Sequence, residues 1–273
     1  MTHTVHPHEP ETGRLPGDRR GERVTLVDQL VSAALWGVGA GWMTTVMGAL
    51  MAVQTLVRPE RVEPLSRLYC RGQIALTGSR WRAEVHPDVD PKGVYMFAQN
   101  HSNHFDHVAF YPATPHFKQG LELETHFDYP VYGWFMKQRG TVPVPADPGG
   151  RRERVREGMR AEVARGRSLL VFPEGTRTLD GRVGPFKTGV FQAARDLELP
   201  VVPVSVTGMY DVMRKGSWII RPGHTITVHV HAPIATKGVT DEELPAFAEH
   251  VRSIVAGPVN AYFANAHRPG ERT

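Results

Sequence analysis

The sequence predicts an α/β protein, a mostly buried mixed sheet flanked by helices, with an apolar helical module ahead of it. Three observations carry that expectation. From about residue 72 onward, strand-like apolar runs alternate with helix-like stretches, the order of a sheet with helices packed on it. The 273 residues are 41% hydrophobic and 22% charged, a globular balance long enough for one sizeable core. Between Gln29 and Val57 there is no charged residue at all. The same composition excludes other classes. The apolar content is too high for a wholly disordered chain, and the 27 Gly and 22 Pro follow no collagen-like period. A lone Cys70 cannot staple a secreted scaffold and reads as a small core residue in a reducing compartment. With 32 Lys and Arg against 28 Asp and Glu, the net charge of +4 suits an anionic partner without choosing its kind.

Residues 1–25 mix Pro7, Pro10 and Pro16 with charged and His residues and lack the apolar stretch of a secretory signal, so they read as a disordered polar tail. Residues 26–62 form the apolar module. Its uncharged run is long enough to cross a bilayer, but Gly37, Gly39 and Gly41 each weaken a helix by about 1 kcal/mol relative to Ala. Trp36 and Trp42 flank these glycines, and Trp favours the headgroup level. The pattern predicts two short helices meeting near 37–41 and embedded in one leaflet, with a full span and a buried soluble helix as alternatives.

Residues 63–273 read as the α/β domain. Its expected strands are Gln73–Thr77, Val94–Gln99, Thr141–Val144, Ser168–Phe172, Val201–Val206 and Thr225–His231. Ile226, Val228 and Val230 share one face of the last. A helix over Arg151–Arg165 places Val155, Met159 and Val163 at i, i+4 and i+8, behind Asp147-Pro148 as cap and first position. A second helix covers Phe186–Leu197, and a third opens at Thr240, where Glu243 has capping-box spacing.

Two constellations end expected strands, where ligands of open α/β sheets gather. The first is Asn100-His101-Ser102-Asn103-His104-Phe105-Asp106-His107. With His101 in the turn and Asp106 in the first helical turn, the carboxylate can fold back on the imidazole, fix its tautomer and leave the other nitrogen as a general base. A helix cap facing water is the plainer account of the same residues. A metal reading of His104, Asp106 and His107 lacks its leading ligand, because Ser102 stands there, and His224, His229 and His231 do not complete a dinuclear set. The second constellation is Phe172-Pro173-Glu174-Gly175-Thr176-Arg177. Pro173 stops the strand and Gly175 permits a tight turn, so Arg177 can grip a phosphate. Lys187 adds a second cation at a helix start. The run from Gly133 to Arg139 reads as an amphipathic helix ending in Lys137 and Arg139. Seven Arg against three Glu between Arg151 and Arg167 make either a solvated helix face or a contact for anionic headgroups.

In order, these pieces resemble the glycerolipid acyltransferase family, the 1-acyl-glycerol-3-phosphate and lysophospholipid acyltransferases. Asn100-His101 with Asp106 resembles its N-H-x4-D block, and Gly133 to Arg139 its second block, chiefly at the leading Gly and final Arg. Phe172 to Arg177 is similar to its F-P-E-G-T-R block letter for letter, and Val202-Pro203-Val204 resembles its fourth. The likeness covers roughly residues 65–210. One departure is Asn103, where many members carry Ser. The resemblance implies a membrane-associated enzyme that moves an acyl group from acyl-CoA or acyl-carrier protein to lysophosphatidic acid. His101 would act as base and Asp106 would orient it, while Glu174, Gly175, Thr176, Arg177, Arg139 and Lys187 would form the phosphate site. It implies no metal or redox cofactor, no nucleic-acid partner, and a place on the cytoplasmic face of the cell membrane. Another lipid acceptor, a metallohydrolase and a non-enzymatic lipid-binding protein are the rival readings.

Overall fold

The computed structural model describes residues 24–265, so the expected polar tail lies almost wholly outside the described residues. Seven strands make one sheet: β1 (Arg80–Val85), β2 (Met96–Gln99), β3 (Lys118–Leu123), β4 (Val142–Val144), β5 (Ser168–Val171), β6 (Val201–Thr207) and β7 (Thr225–Val230). Their spatial order is β1-β7-β6-β2-β5-β3-β4. The sheet is mixed. β6 and β7 run antiparallel, and the other neighbours are parallel. Every residue of β2, β5 and β6 is buried. Phe97 and Leu170 point into one apolar cluster with Phe110, Val204 and Ile226, whereas Met96, Ala98, Leu169 and Val171 point into another with Met159, Phe191 and Val251. The two-residue period of a strand thus serves two cores, one on each face. Cys70 sits in the first, its thiol pushed up to about 12 by burial.

The helices are α1 (Leu26–Gln54), α2 (Glu63–Leu76), α3 (Asp106–Phe110), α4 (Tyr132–Arg139), α5 (Arg151–Ala164), α6 (Thr188–Asp196), α7 (Met209–Val212) and α8 (Leu244–Asn265). α8 opens as expected, with the Thr240 N–H donating to Glu243 Oε2 at 2.9 Å. α5 does not: its cap is Gly150 in the left-handed region, and Asp147 instead accepts the Gly149 N–H at 3.1 Å in the preceding turn.

Three further expectations are corrected. Residues 73–77 are not a strand but lie at the end of α2, and the first strand begins at Arg80. β3 is absent from the expected strands, because its run from Lys118 to Leu123 carries Lys118, Gln119 and Gly120. The largest correction concerns the apolar module, where α1 runs unbroken through Gly37, Gly39 and Gly41. Its start is fixed by a capping box in which Asp28 N–H donates to Thr25 Oγ1 at 3.1 Å and Thr25 N–H to Asp28 Oδ2 at 2.9 Å. Its continuity comes from packing. Ser32, Gly39, Met47, Leu50 and Gln54 are buried along one face of it. Gly72 of α2 makes room for Trp42: a β-carbon there would lie 2.4 Å from the indole ring. Trp42 Nε1 donates to Tyr69 O at 3.1 Å and Trp36 Nε1 to Trp218 O at 2.8 Å, so both indole N–H groups are spent on protein carbonyls. The opposite side, with Leu26, Val27, Leu30, Val38 and Val53, is exposed. α1 is long and apolar enough to cross a membrane.

Candidate active site

The loops after β2, β5 and β6 converge at the carboxyl edge of the sheet. Asn100 extends the β2–β6 ladder one residue past the strand end: its amide donates to Val206 O at 3.0 Å and accepts the Val206 N–H at 2.7 Å. His101 follows, and its backbone is held at both groups. Its N–H donates to Glu174 Oε1 at 2.7 Å, and its carbonyl accepts the Thr178 N–H at 2.8 Å. The ring stacks on Phe172 with centroids 4.0 Å apart and planes 21° from parallel. Nδ1 lies 3.0 Å from Asp106 Oδ2.

Asp106 opens α3 and is fully buried. Its Oδ2 also accepts the Ser102 N–H at 2.6 Å and the Asn103 N–H at 2.7 Å, and Ser102 Oγ donates to Oδ1 at 3.3 Å. The turn Ser102–Phe105 thus wraps the carboxylate, which is why a five-residue spacing brings these side chains together. A carboxylate accepting from Nδ1–H fixes the imidazole tautomer and leaves Nε2 with a lone pair. Nε2 has no hydrogen-bond partner among the described residues. His107 is pushed down to about 4 by burial, and His104 is lowered for the same reason, so neither adds a charge beside His101 near pH 7.

Glu174 sits elsewhere than expected. Its two carboxylate oxygens accept the His101 N–H and, at 3.0 Å, the Gly184 N–H, so it clamps backbone. Burial pushes its pKa up to about 7. Gly175 has a positive φ of 70°, the conformation that makes the turn require glycine. Lys187 Nζ crosses directly over it, 2.5 Å from where a β-carbon would stand. Arg177 is half-buried, and its charge is felt by His104. Arg139 is not brought to this edge. It is buried, paired with Glu63 at 3.0 Å, and its guanidinium lies over Tyr111 and Phe117. The leading Gly133 of the same block has its own reason: a β-carbon there would meet Phe127 O at 2.2 Å.

Sequence reasoning missed Lys215. On the segment after α7, its Nζ donates to Thr176 Oγ1 and to Arg177 O, both at 3.0 Å. No spacing signal marks a single Lys far along the chain; only the fold brings it here. Asn103, the position that departs from the family pattern, is fully buried and donates to Met209 O at 2.8 Å and Met213 O at 2.7 Å, holding that same segment. Beneath Asn103 and Phe105 lies an apolar cavity of about 100 Å³, lined also by Leu35, Met43, Val108 and Ile220. Among the described residues no group of three or more His, Cys, Asp or Glu is placed to hold a metal.

Residues 82–207 match the family model described as Acyltransferase. The chain is 40% identical over 109 residues to the chloroplastic 1-acyl-sn-glycerol-3-phosphate acyltransferase BAT2 of Brassica napus, covering 40% of this chain and 31% of that one. It is 33% identical over 135 residues to the 1-acyl-sn-glycerol-3-phosphate acyltransferase of Saccharomyces cerevisiae, covering 45% and 41%. The matches thus span well under half the length of these relatives. The crystal structure of the 1-acyl-sn-glycerophosphate acyltransferase PlsC from Thermotoga maritima shares the fold, with a TM-score of 0.75 over 90% of this chain and 98% of that chain at 20% identity.

Proposed function

We propose, from the match of residues 82–207 to the family model described as Acyltransferase, that this chain is a membrane-associated O-acyltransferase making phosphatidic acid from lysophosphatidic acid. The observation that carries the reading is His101, immobilised through backbone, ring face and Nδ1, with only Nε2 left open beside a turn that carries Arg177 and is met by Lys187 and Lys215. The relatives' names supply the acceptor.

In the proposed reaction Nε2 of His101 takes the proton of the acceptor hydroxyl as its oxygen bonds to the thioester carbonyl carbon. The tetrahedral intermediate collapses, the C–S bond breaks, and the departing thiolate takes the proton back from Nε2. Asp106 stabilises the imidazolium between the two transfers. No acyl-enzyme forms. A thioester is already activated, and holding donor and acceptor together contributes roughly 7–11 kcal/mol. The donor is acyl-CoA or acyl-carrier protein. The apolar cavity below Phe105 offers surface for an acyl chain.

α1 would anchor the enzyme. Because one of its faces is packed on the protein from Ser32 to Gln54, it lies along the domain with its apolar side outward, a geometry for burial in one leaflet rather than for projecting across two. The acyl donors are cytosolic, so the site would face the cytoplasm. The decisive experiment is transfer of radiolabelled acyl from a thioester to a panel of lysophospholipids and glycerol 3-phosphate. Lysophosphatidic acid should be preferred, and undiminished transfer by His101→Ala would refute the base.

A further inference from the structure

We infer that Lys215 is a phosphate-binding residue of this enzyme, completing with Arg177 and Lys187 a site for a phosphate monoester dianion. The inference rests on the acyltransferase reading above and names a ligand group that the sequence pattern does not contain. The three cations come from three separate segments: the turn after β5, the start of α6 and the segment after α7. The two ammonium groups lie on consecutive residues of the turn that carries Arg177, with Lys187 Nζ over Gly175 and Lys215 Nζ on Thr176 Oγ1 and Arg177 O. No carboxylate lies within ion-pair distance of any of the three among the described residues. Positive charge brought to one turn without an ion-pair partner attracts a dianion. An ammonium carries three donors; Lys215 spends two on the turn, which leaves one for a ligand oxygen.

The position of Lys215 is built, not incidental. The segment that carries it is held from the far side by α1. Ile220 N–H donates to Ser32 Oγ at 3.0 Å, Trp218 O accepts from Trp36 Nε1 at 2.8 Å, and Arg221 lies 3.8 Å from Asp28. From within, Asn103 holds it through Met209 and Met213. One strap therefore ties the apolar helix to the turn whose Glu174 and Thr178 fix the His101 backbone.

A phosphate monoester can come from the acceptor or from the 3′-phosphate of CoA, and the test separates them. Lys215→Gln removes the charge but keeps an N–H donor for Thr176, whereas Lys215→Arg keeps the charge. Charge-assisted hydrogen bonds of this kind are worth about 10- to 100-fold in affinity. In Lys215→Gln the KM for lysophosphatidic acid should rise by that factor if the acceptor phosphate is the ligand, or the KM for acyl-CoA if the donor phosphate is. The KM rise should exceed any fall in kcat, and Lys215→Arg should recover most of it. Unchanged KM values for both substrates, or a fall in kcat alone, overturn the inference and leave Lys215 as a brace of the turn. If the wild-type protein transfers no acyl group, the functional reading fails by itself; calorimetric binding of glycerol 3-phosphate and of CoA then decides the phosphate site. Binding of neither, or equal binding by wild type and Lys215→Gln, overturns it. Should the variants not fold, amine acylation of the wild-type protein, read by mass spectrometry, decides the same question. Protection of Lys215 by glycerol 3-phosphate or CoA supports the site, and unprotected labelling refutes it.

Discussion

At the scale of the residue, the site depends on which atoms are already spent. Asp106 accepts from two backbone N–H groups and from His101 Nδ1 through one oxygen. Asp106→Asn would set an amide NH₂ or a weaker acceptor against those donors and release the imidazole tautomer. We expect kcat to fall about 10²- to 10⁴-fold with both KM values nearly unchanged, measured by acyl transfer at saturating donor. Glu174 is a different case. It is only 7% exposed, accepts two backbone N–H groups, and has its pKa raised by burial to about 7. A raised carboxylate pKa means the folded protein holds a proton that the unfolded chain has released. The associated stability is therefore full below pH ~4.5 and is lost as pH rises to about 7, at most roughly 3 kcal/mol. Denaturant titrations between pH 5 and 7 should show this slope in the wild type and a flatter one in Glu174→Gln.

At the scale of the element, α1 shows how packing overrides propensity. Three glycines within five residues argue for a break, yet the helix continues, since its cost in propensity is met by a buried face and two indole hydrogen bonds. Gly72 is where this contact is tightest. Gly72→Val would drive the Trp42 ring out of its seat and lift α1 from α2, costing about 1–3 kcal/mol; thermal melts of the two proteins in the same detergent should show the loss. The residues that end the sheet strands were legible as elements from their apolar runs, but α2 was not. Gln73 to Thr77 reads as a strand in isolation because so short an apolar run has no period, and only its place at the end of a helix packed on α1 settles it. β3 was illegible for the opposite reason: its Lys118 is fully buried but donates to three carbonyls, so a charged residue sits where pattern reading expects an apolar one.

At the scale of the whole molecule, the exposed apolar side of α1 is the proposed membrane contact. Deleting the helix would uncover Tyr69, Cys70 and Ile74, which share a buried cluster with Met47 of α1, so substitution is the cleaner probe. Leu26→Asp, Leu30→Asp and Val38→Asp combined should abolish flotation with anionic liposomes while leaving the circular dichroism spectrum intact; undiminished flotation would place the contact elsewhere. The sequence alone determined the α/β class, most strand positions and the two motifs that contain His101, Asp106 and Arg177, because those signals are local: period, turn chemistry and short spacing. Tertiary structure alone decided what each charged group faces. It turned Glu174 toward backbone, sent Arg139 to Glu63, and carried Lys215 across 38 residues onto Arg177. Such pairings depend on which strand ends lie side by side, and β2 has β5 and β6 as neighbours through crossovers that no window of sequence contains.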